Sequence, residues 1–165
     1  MSSSRISRTI TRIAYQIYED THGVGEPVIF GIDDRGFKLA GMLSDRLSEI
    51  YQTPIRAHVV RVMTDSSQEN QSNYGSEPFP TVKNKKVVIV DDVLYSGKTM
   101  YHALQLIANQ DGPEEIKLAA LIDRGHRRYP VNIQYLGLYC PTKLKEHVQC
   151  RFLENGEPDG VWLEH

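Results

Sequence analysis

Apolar positions along this chain follow two alternating rhythms. Residues 7–20 place Ile10, Ile13, Ala14 and Ile17 at helical spacing, which predicts an amphipathic helix capped by Ser7 and ended by Gly23 and Gly25. Residues 27–32 (PVIFGI) form a short continuous apolar run, the pattern of a buried strand. Asp33, Asp34, Arg35 and Gly36 follow as a predicted loop. Residues 37–50 then return to helical spacing through Leu39, Ala40, Leu43 and Leu47. The same alternation predicts strands at 55–63, 87–90, 116–122 and 133–138, with a helix over 99–109 between the second and third of these. Strands alternating with helices imply an α/β fold: a mostly parallel central sheet flanked by helices. No internal repeat and no linker divides the chain, so residues 1–162 are expected to form one domain. Leu163, Glu164 and His165 read as an expression-vector remnant and are assigned no function.

In an open parallel sheet, ligands sit beyond the carboxyl ends of the strands. Three predicted loops in that position carry clustered charge: 33–36, 91–99 and 123–128. The middle one is the most informative. Val87–Val90 ends abruptly in Asp91 and Asp92, then Val93, Leu94, Tyr95, Ser96, Gly97, Lys98 and Thr99 lead into a helix. The free N–H groups and positive dipole end at that helix start suit a phosphate. Carboxylates shortly before it can accept hydrogen bonds from ribose hydroxyls. Residues 64–82 are polar, rich in Ser, Asn, Gln, Pro and Gly, and without periodicity: either a surface loop or a flexible lid.

Composition narrows the picture without changing it. The 165 residues are 40% hydrophobic and 24% charged with a net charge of −2, ordinary globular material and not that of a dedicated nucleic-acid binder. Cys140 and Cys150 have no metal-binding spacing and fit a reducing compartment. With no long apolar run and no signal peptide, a cytoplasmic protein is expected. A P-loop reading of Gly97-Lys98-Thr99 fails, because that motif needs glycine at position 92, which is Asp. Asp91 and Asp92 as metal ligands of a receiver- or hydrolase-type fold is a weaker alternative, lacking partner residues at other strand ends.

The run from Val87 to Thr99, four β-branched residues, two acids and a Gly/Thr-containing loop, resembles the signature of the type I phosphoribosyltransferases. Ile122-Asp123-Arg124-Gly125-His126-Arg127, with Thr11-Arg12-Ile13-Ala14, Gly31-Ile32, Arg35-Gly36 and Pro141-Thr142 in the same order, is similar to the group of bifunctional pyrimidine-operon regulators and uracil phosphoribosyltransferases. The resemblance covers roughly residues 7 to 148. It implies a fold with a small base-binding hood and a lid. It also implies pentosyl transfer from phosphoribosyl pyrophosphate to a nucleobase, uracil or else a 6-oxopurine, in pyrimidine salvage or nucleotide metabolism.

By the same resemblance Asp91 and Asp92 hold the ribose hydroxyls, and residues 93–99 hold the 5-phosphate. Asp33, Asp34, Arg35 and Gly36 face the pyrophosphate. Asp123, Arg124, Gly125 and His126 face the base, with His126 ordering backbone more than acting as a base. Mg²⁺ is expected, bound mainly through substrate oxygens. A homo-oligomer is implied as well.

Two features depart from the family pattern. Asp33 and Asp34 stand where a basic and a small polar residue are usual, and residues 64–82 contain no Arg or Lys, so Arg61 at the base of that segment is the nearest substitute. These departures leave a second class open: a regulatory module that binds a nucleotide or an RNA leader with weak or no catalysis. Arg5, Arg8, Arg12, Lys143 and Lys145 are the candidate RNA-facing cations.

Overall fold

The computed structural model describes residues 1–62, 78–143, 146–153 and 158–164. Helix α1 (Ser3–Thr21) is followed by β1 (Val28–Ile32), α2 (Asp33–Tyr51), β2 (Ala57–Val60), β3 (Lys86–Leu94), α3 (Lys98–Ala108), β4 (Glu115–Asp123), β5 (Tyr135–Tyr139), β6 (His147–Phe152) and β7 (Pro158–Glu164). The first five strands form one sheet in the order β2-β1-β3-β4-β5, with every neighbouring pair parallel. No described helix is long and apolar enough to cross a membrane.

Both faces of this sheet are covered, which is why its central strands read as unbroken apolar runs. Ile29, Val88, Val90, Ala119 and Leu121 share one core with the stripes of α1 and α2. Phe30, Ile32, Val87, Ile89, Leu118 and Ala120 share the other with Met100, Ala103 and Ile107 of α3. The expected α/β architecture is the observed one.

Several boundaries move, each for a local reason. α1 begins at Ser3, because Ile6, fully buried, extends the apolar stripe by a turn. Ser7 therefore lies inside the helix, where its carbonyl accepts the Thr11 hydroxyl at 3.0 Å. Residues 33–36 are not a loop but the first turn of α2. Carboxylates there complement the positive end of the helix dipole. β3 carries Asp91 and Asp92 within it and pairs with β4 as far as Leu94↔Asp123. β2 is shorter than predicted and β5 begins two residues later. Met63 and most of the predicted lid lie outside the described residues. β6 and β7, an antiparallel pair absent from the prediction, pack Cys150 and Val161 into the core beside α1. Leu163 and Glu164 pair in β7 with Val148 and His147.

α2 springs directly from β1 only because glycine permits it. A Cβ on Gly31 would lie 2.4 Å from the Gly36 carbonyl oxygen, and one on Gly36 would lie 2.7 Å from that of Val90. Both neighbours are backbone and cannot yield cheaply. Gly31→Ala is expected to cost about 1–3 kcal/mol in urea denaturation by overpacking, and to push the turn at 33–36 away from β3.

Candidate active site

The adjacency of β1, β3 and β4 brings their carboxyl ends together, and with them the three charged segments. Asp92 is buried (6% exposed) and Asp91 half-buried. Asp91 Oδ1 accepts the Asp92 N–H at 2.9 Å, and Asp92 Oδ1 accepts the Val93 N–H at 2.9 Å. Asp92 Oδ2 is buried with no hydrogen-bond partner among the described residues. Burial above all, then the charge of Asp92, pushes the Asp91 carboxyl well above its usual range. Burial likewise raises Asp92, opposed by the Val93 N–H and the Arg35 charge. Two crowded carboxylates with an unsatisfied oxygen form a site short of donors, which hydroxyl groups or a cation would supply.

The phosphate-loop candidate follows at once. Gly97 has φ +79°, a left-handed conformation that favours glycine, and a Cβ there would meet Val131 Cγ2 at 2.7 Å. The Ser96 carbonyl accepts two backbone N–H groups, from Arg128 (2.8 Å) and Tyr129 (3.1 Å). A segment thirty residues downstream thus braces the loop. Gly97 is the N-cap of α3 and offers no side-chain cap. The Lys98 N–H reaches Ser96 Oγ at 3.3 Å. The positive end of α3 is therefore turned to the same end of the sheet as Asp91 and Asp92.

The third segment is more self-contained than the sequence suggested. Asp123, almost fully buried, accepts the Gly125 N–H at 2.8 Å and pairs with Arg127. Arg124, the expected base contact, is buried. Its guanidinium lies 4.5 Å from the centre of the Tyr95 ring, its Nε donates to Thr142 Oγ1 at 2.9 Å, and its Nη2 donates to the Glu146 carbonyl. His126 Nε2 donates to the Thr142 carbonyl at 2.5 Å. Thr142 is thus a structural partner of this loop, a role that sequence pattern did not reveal. With its Nε2 engaged as a donor, His126 orders backbone. His126→Gln, which can donate to the same carbonyl, is expected to keep any turnover within about threefold; a loss beyond about a hundredfold would assign it proton transfer.

At the start of α2, Asp33 adopts φ +49° and its Oδ1 accepts the Val62 N–H at 3.1 Å. Burial raises its carboxyl, with the Val62 N–H and Arg61 opposing. Arg61 makes a 3.1 Å ion pair with Asp34, both side chains well exposed. The lid expected over 64–82 is described only from residue 78, where Phe79 stacks on Phe30 at 5.3 Å and Val82 is buried. A cavity of about 520 Å³ lined by Phe37, Ser44, His58, Arg61 and Phe79 lies beside α2 and β2 rather than over Asp91.

Residues 2–154 match the phosphoribosyl transferase domain. The chain belongs to that family. It is 31% identical to the bifunctional protein PyrR of Latilactobacillus sakei over 99% of this chain and 96% of that one, and 34% identical to PyrR of Halalkalibacterium halodurans over 99% and 95%. Its fold is similar to that of a hypoxanthine-guanine phosphoribosyltransferase from Bacillus anthracis, with a TM-score of 0.69 at 19% identity, covering 87% of this chain and 84% of that one. The hypoxanthine phosphoribosyltransferase of Trypanosoma cruzi in complex with IMP gives a TM-score of 0.68 at 20% identity, covering 86% and 74%. The family is one of pentosyl-transferring enzymes.

Within this phosphoribosyltransferase fold the candidate RNA-facing cations do not behave alike. Arg5 and Arg8 are exposed on α1, and Lys143 is exposed. Arg12 donates through Nη2 to the carbonyls of Leu136 (2.9 Å) and Gly137 (3.0 Å), tying α1 to β5. Lys145 lies outside the described residues.

Proposed function

We propose that this phosphoribosyltransferase moves ribose 5-phosphate from phosphoribosyl pyrophosphate to a nucleobase, with uracil the first candidate, and releases pyrophosphate. The observation that carries this reading is the placement of Asp91 and Asp92 at the end of β3, one short loop before the α3 N-terminus. The resemblance of residues 122–127 and their companion motifs to the pyrimidine-operon regulators supports a pyrimidine; the hypoxanthine enzymes share the fold alone.

In this reading Asp91 and Asp92 accept the ribose hydroxyls, so the sugar supplies the donors that the free carboxylates lack. The backbone of residues 95–99 and the Ser96 and Thr99 hydroxyls hold the 5-phosphate. Residues 123–126 present the base. A ring nitrogen displaces pyrophosphate at the anomeric carbon through an oxocarbenium-like transition state, so rate depends on positioning, exclusion of water and stabilisation of the leaving group. Among the described residues no group of three or more His, Cys, Asp or Glu could hold a metal. One or two carboxylates with substrate oxygens, the usual Mg²⁺ arrangement, fit Asp91 and the unpartnered Asp92 oxygen. Mg²⁺ bound there would neutralise diphosphate charge as the leaving group departs.

Pyrophosphate release from phosphoribosyl pyrophosphate and Mg²⁺, assayed in parallel with uracil, hypoxanthine, guanine and xanthine, tests the proposal. Turnover with uracil is expected. Turnover with a purine alone would replace the base assignment. No turnover with any base, while a nucleotide still raises the melting temperature, would leave a binding module.

A further inference from the structure

Arg127 stands in the base-side segment, yet its contacts lead away from the base. Asp123, at the carboxyl end of β4, has both carboxylate oxygens engaged. Its Oδ1 accepts the Gly125 N–H at 2.8 Å, and its Oδ2 accepts Arg127 Nη2. The other arm of that guanidinium, Nη1, donates to the Val131 carbonyl at 3.1 Å. Arg127 therefore clips residue 131 to the end of β4, and the residues between them are held against the loop at 95–99. The N–H groups of Arg128 and Tyr129 both end on the Ser96 carbonyl, and the Val131 N–H turns back to the Tyr129 carbonyl at 2.8 Å. Val131 is buried beneath Gly97, in one core with Met100 and Ala103 of α3. A chain of contacts thus runs from the Asp123 carboxylate, through one guanidinium, to the start of α3. The Ser96 carbonyl and the Gly97 N–H share one trans peptide plane and point in opposite directions. Pinning the carbonyl to the brace therefore aims the Gly97 N–H away from it. Amides at a helix start hold an anion only when they are aimed in advance.

We infer that Arg127 is a positioning residue for the 5-phosphate: by holding residues 128–131 in place, it fixes the Ser96–Gly97 peptide whose N–H the phosphate receives. The inference rests on the ribose-phosphate reading above and gives a residue outside the phosphate loop a share in that loop's geometry. The role needs a guanidinium, which reaches the Asp123 carboxylate and the Val131 carbonyl at once. An ammonium in its place keeps the charge and loses the fork.

The test is isothermal titration of UMP and of uridine into the full chain and its Arg127→Gln, Arg127→Lys and Val131→Ala variants, with thermal melting to confirm that each is folded. Arg127→Gln is expected to weaken UMP about tenfold, the equivalent of one charge-assisted hydrogen bond to phosphate, and uridine less than about twofold. Arg127→Lys should lose nearly as much. Val131→Ala, which loosens the contact beneath Gly97 without touching Arg127, is expected to lower UMP affinity selectively as well. Equal losses of UMP and uridine affinity in Arg127→Gln would overturn the inference, as would unchanged UMP affinity there. Full UMP affinity in Arg127→Lys would also overturn it, since charge alone would then suffice. Should Arg127→Gln not fold, an unchanged ratio of UMP to uridine affinity in Val131→Ala is enough to overturn the inference. A parent that binds UMP no more tightly than uridine would be a different failure, that of the ribose-phosphate reading itself.

Discussion

Asp91→Asn is expected to give a protein that melts higher at pH 8 than its parent and binds nucleotide far more weakly. Burial and the neighbouring Asp92 raise the Asp91 carboxyl in the folded state. Between the unfolded carboxylate value near about 3.9 and that raised folded value, the native protein holds more protons than the unfolded chain. Stability is therefore fully present below the unfolded value and is lost as pH rises through the folded one. Above that window the ionised site opposes folding, by about 1.4 kcal/mol for each pKa unit of elevation. A neutral amide removes this cost, and each kcal/mol returns about 2–4 °C in a domain of this size. Below about pH 4 the difference should vanish.

The functional effect runs the other way. A hydrogen bond from a ribose hydroxyl to a carboxylate contributes about 1.5–3 kcal/mol, so nucleotide affinity and any turnover should fall roughly 10- to 100-fold. Thermal melts across pH, paired with UMP titration, check both arms. A variant less stable at pH 8 than its parent would contradict the electrostatic reading of the site. A ligand that stabilises the ionised pair must also release protons on binding, so affinity should rise with pH through the Asp91 and Asp92 titration and then level off.

Arg124→Ala is expected to be the most damaging single change for stability. The buried guanidinium joins three segments: it stacks on Tyr95, and donates to Thr142 Oγ1 and the Glu146 carbonyl. Hydrogen bonds from a charged donor contribute about 1.5–3 kcal/mol each, and a desolvated cation–π contact about 1–2 kcal/mol. Allowing for non-additivity, a loss of about 3–5 kcal/mol in urea denaturation is expected. Arg124→Lys should recover little of it, because an ammonium offers neither the fork nor the flat stacking face. A loss under about 1 kcal/mol would show that the three segments hold together without it.

The sheet was legible because burial on both faces writes itself into sequence as apolar runs such as Val87–Val90. The loop at 93–99, the phosphate-loop candidate, was legible because its residues are contiguous. The expected loop at 33–36 became a helical turn because acids next to glycine suit a helix start as well as a loop, and only the close contacts at Gly31 and Gly36 decide between them. The β6–β7 pair had a signal, Val148, Cys150 and Phe152 alternating with His147, Gln149 and Arg151, but six residues of alternation between polar stretches compete poorly with the stronger periodicities upstream. The family resemblance of residues 122–127 implies that Arg124 faces the base. Its partners Tyr95, Thr142 and Glu146 are distant along the chain, and contacts of that kind leave no local pattern.

The bonds from Arg128 and Tyr129 to the Ser96 carbonyl, with Val131 beneath Gly97, also order events during synthesis. A nascent chain that has emerged only as far as α3 already contains every residue from Lys86 to Ala108, yet β3 at that stage lacks β4 and the loop lacks its brace. Parallel pairing requires the ends to be brought together across a crossover, and such long-range contacts form late. The motif most recognisable in the sequence therefore gains its brace only after residues 128–131 have emerged.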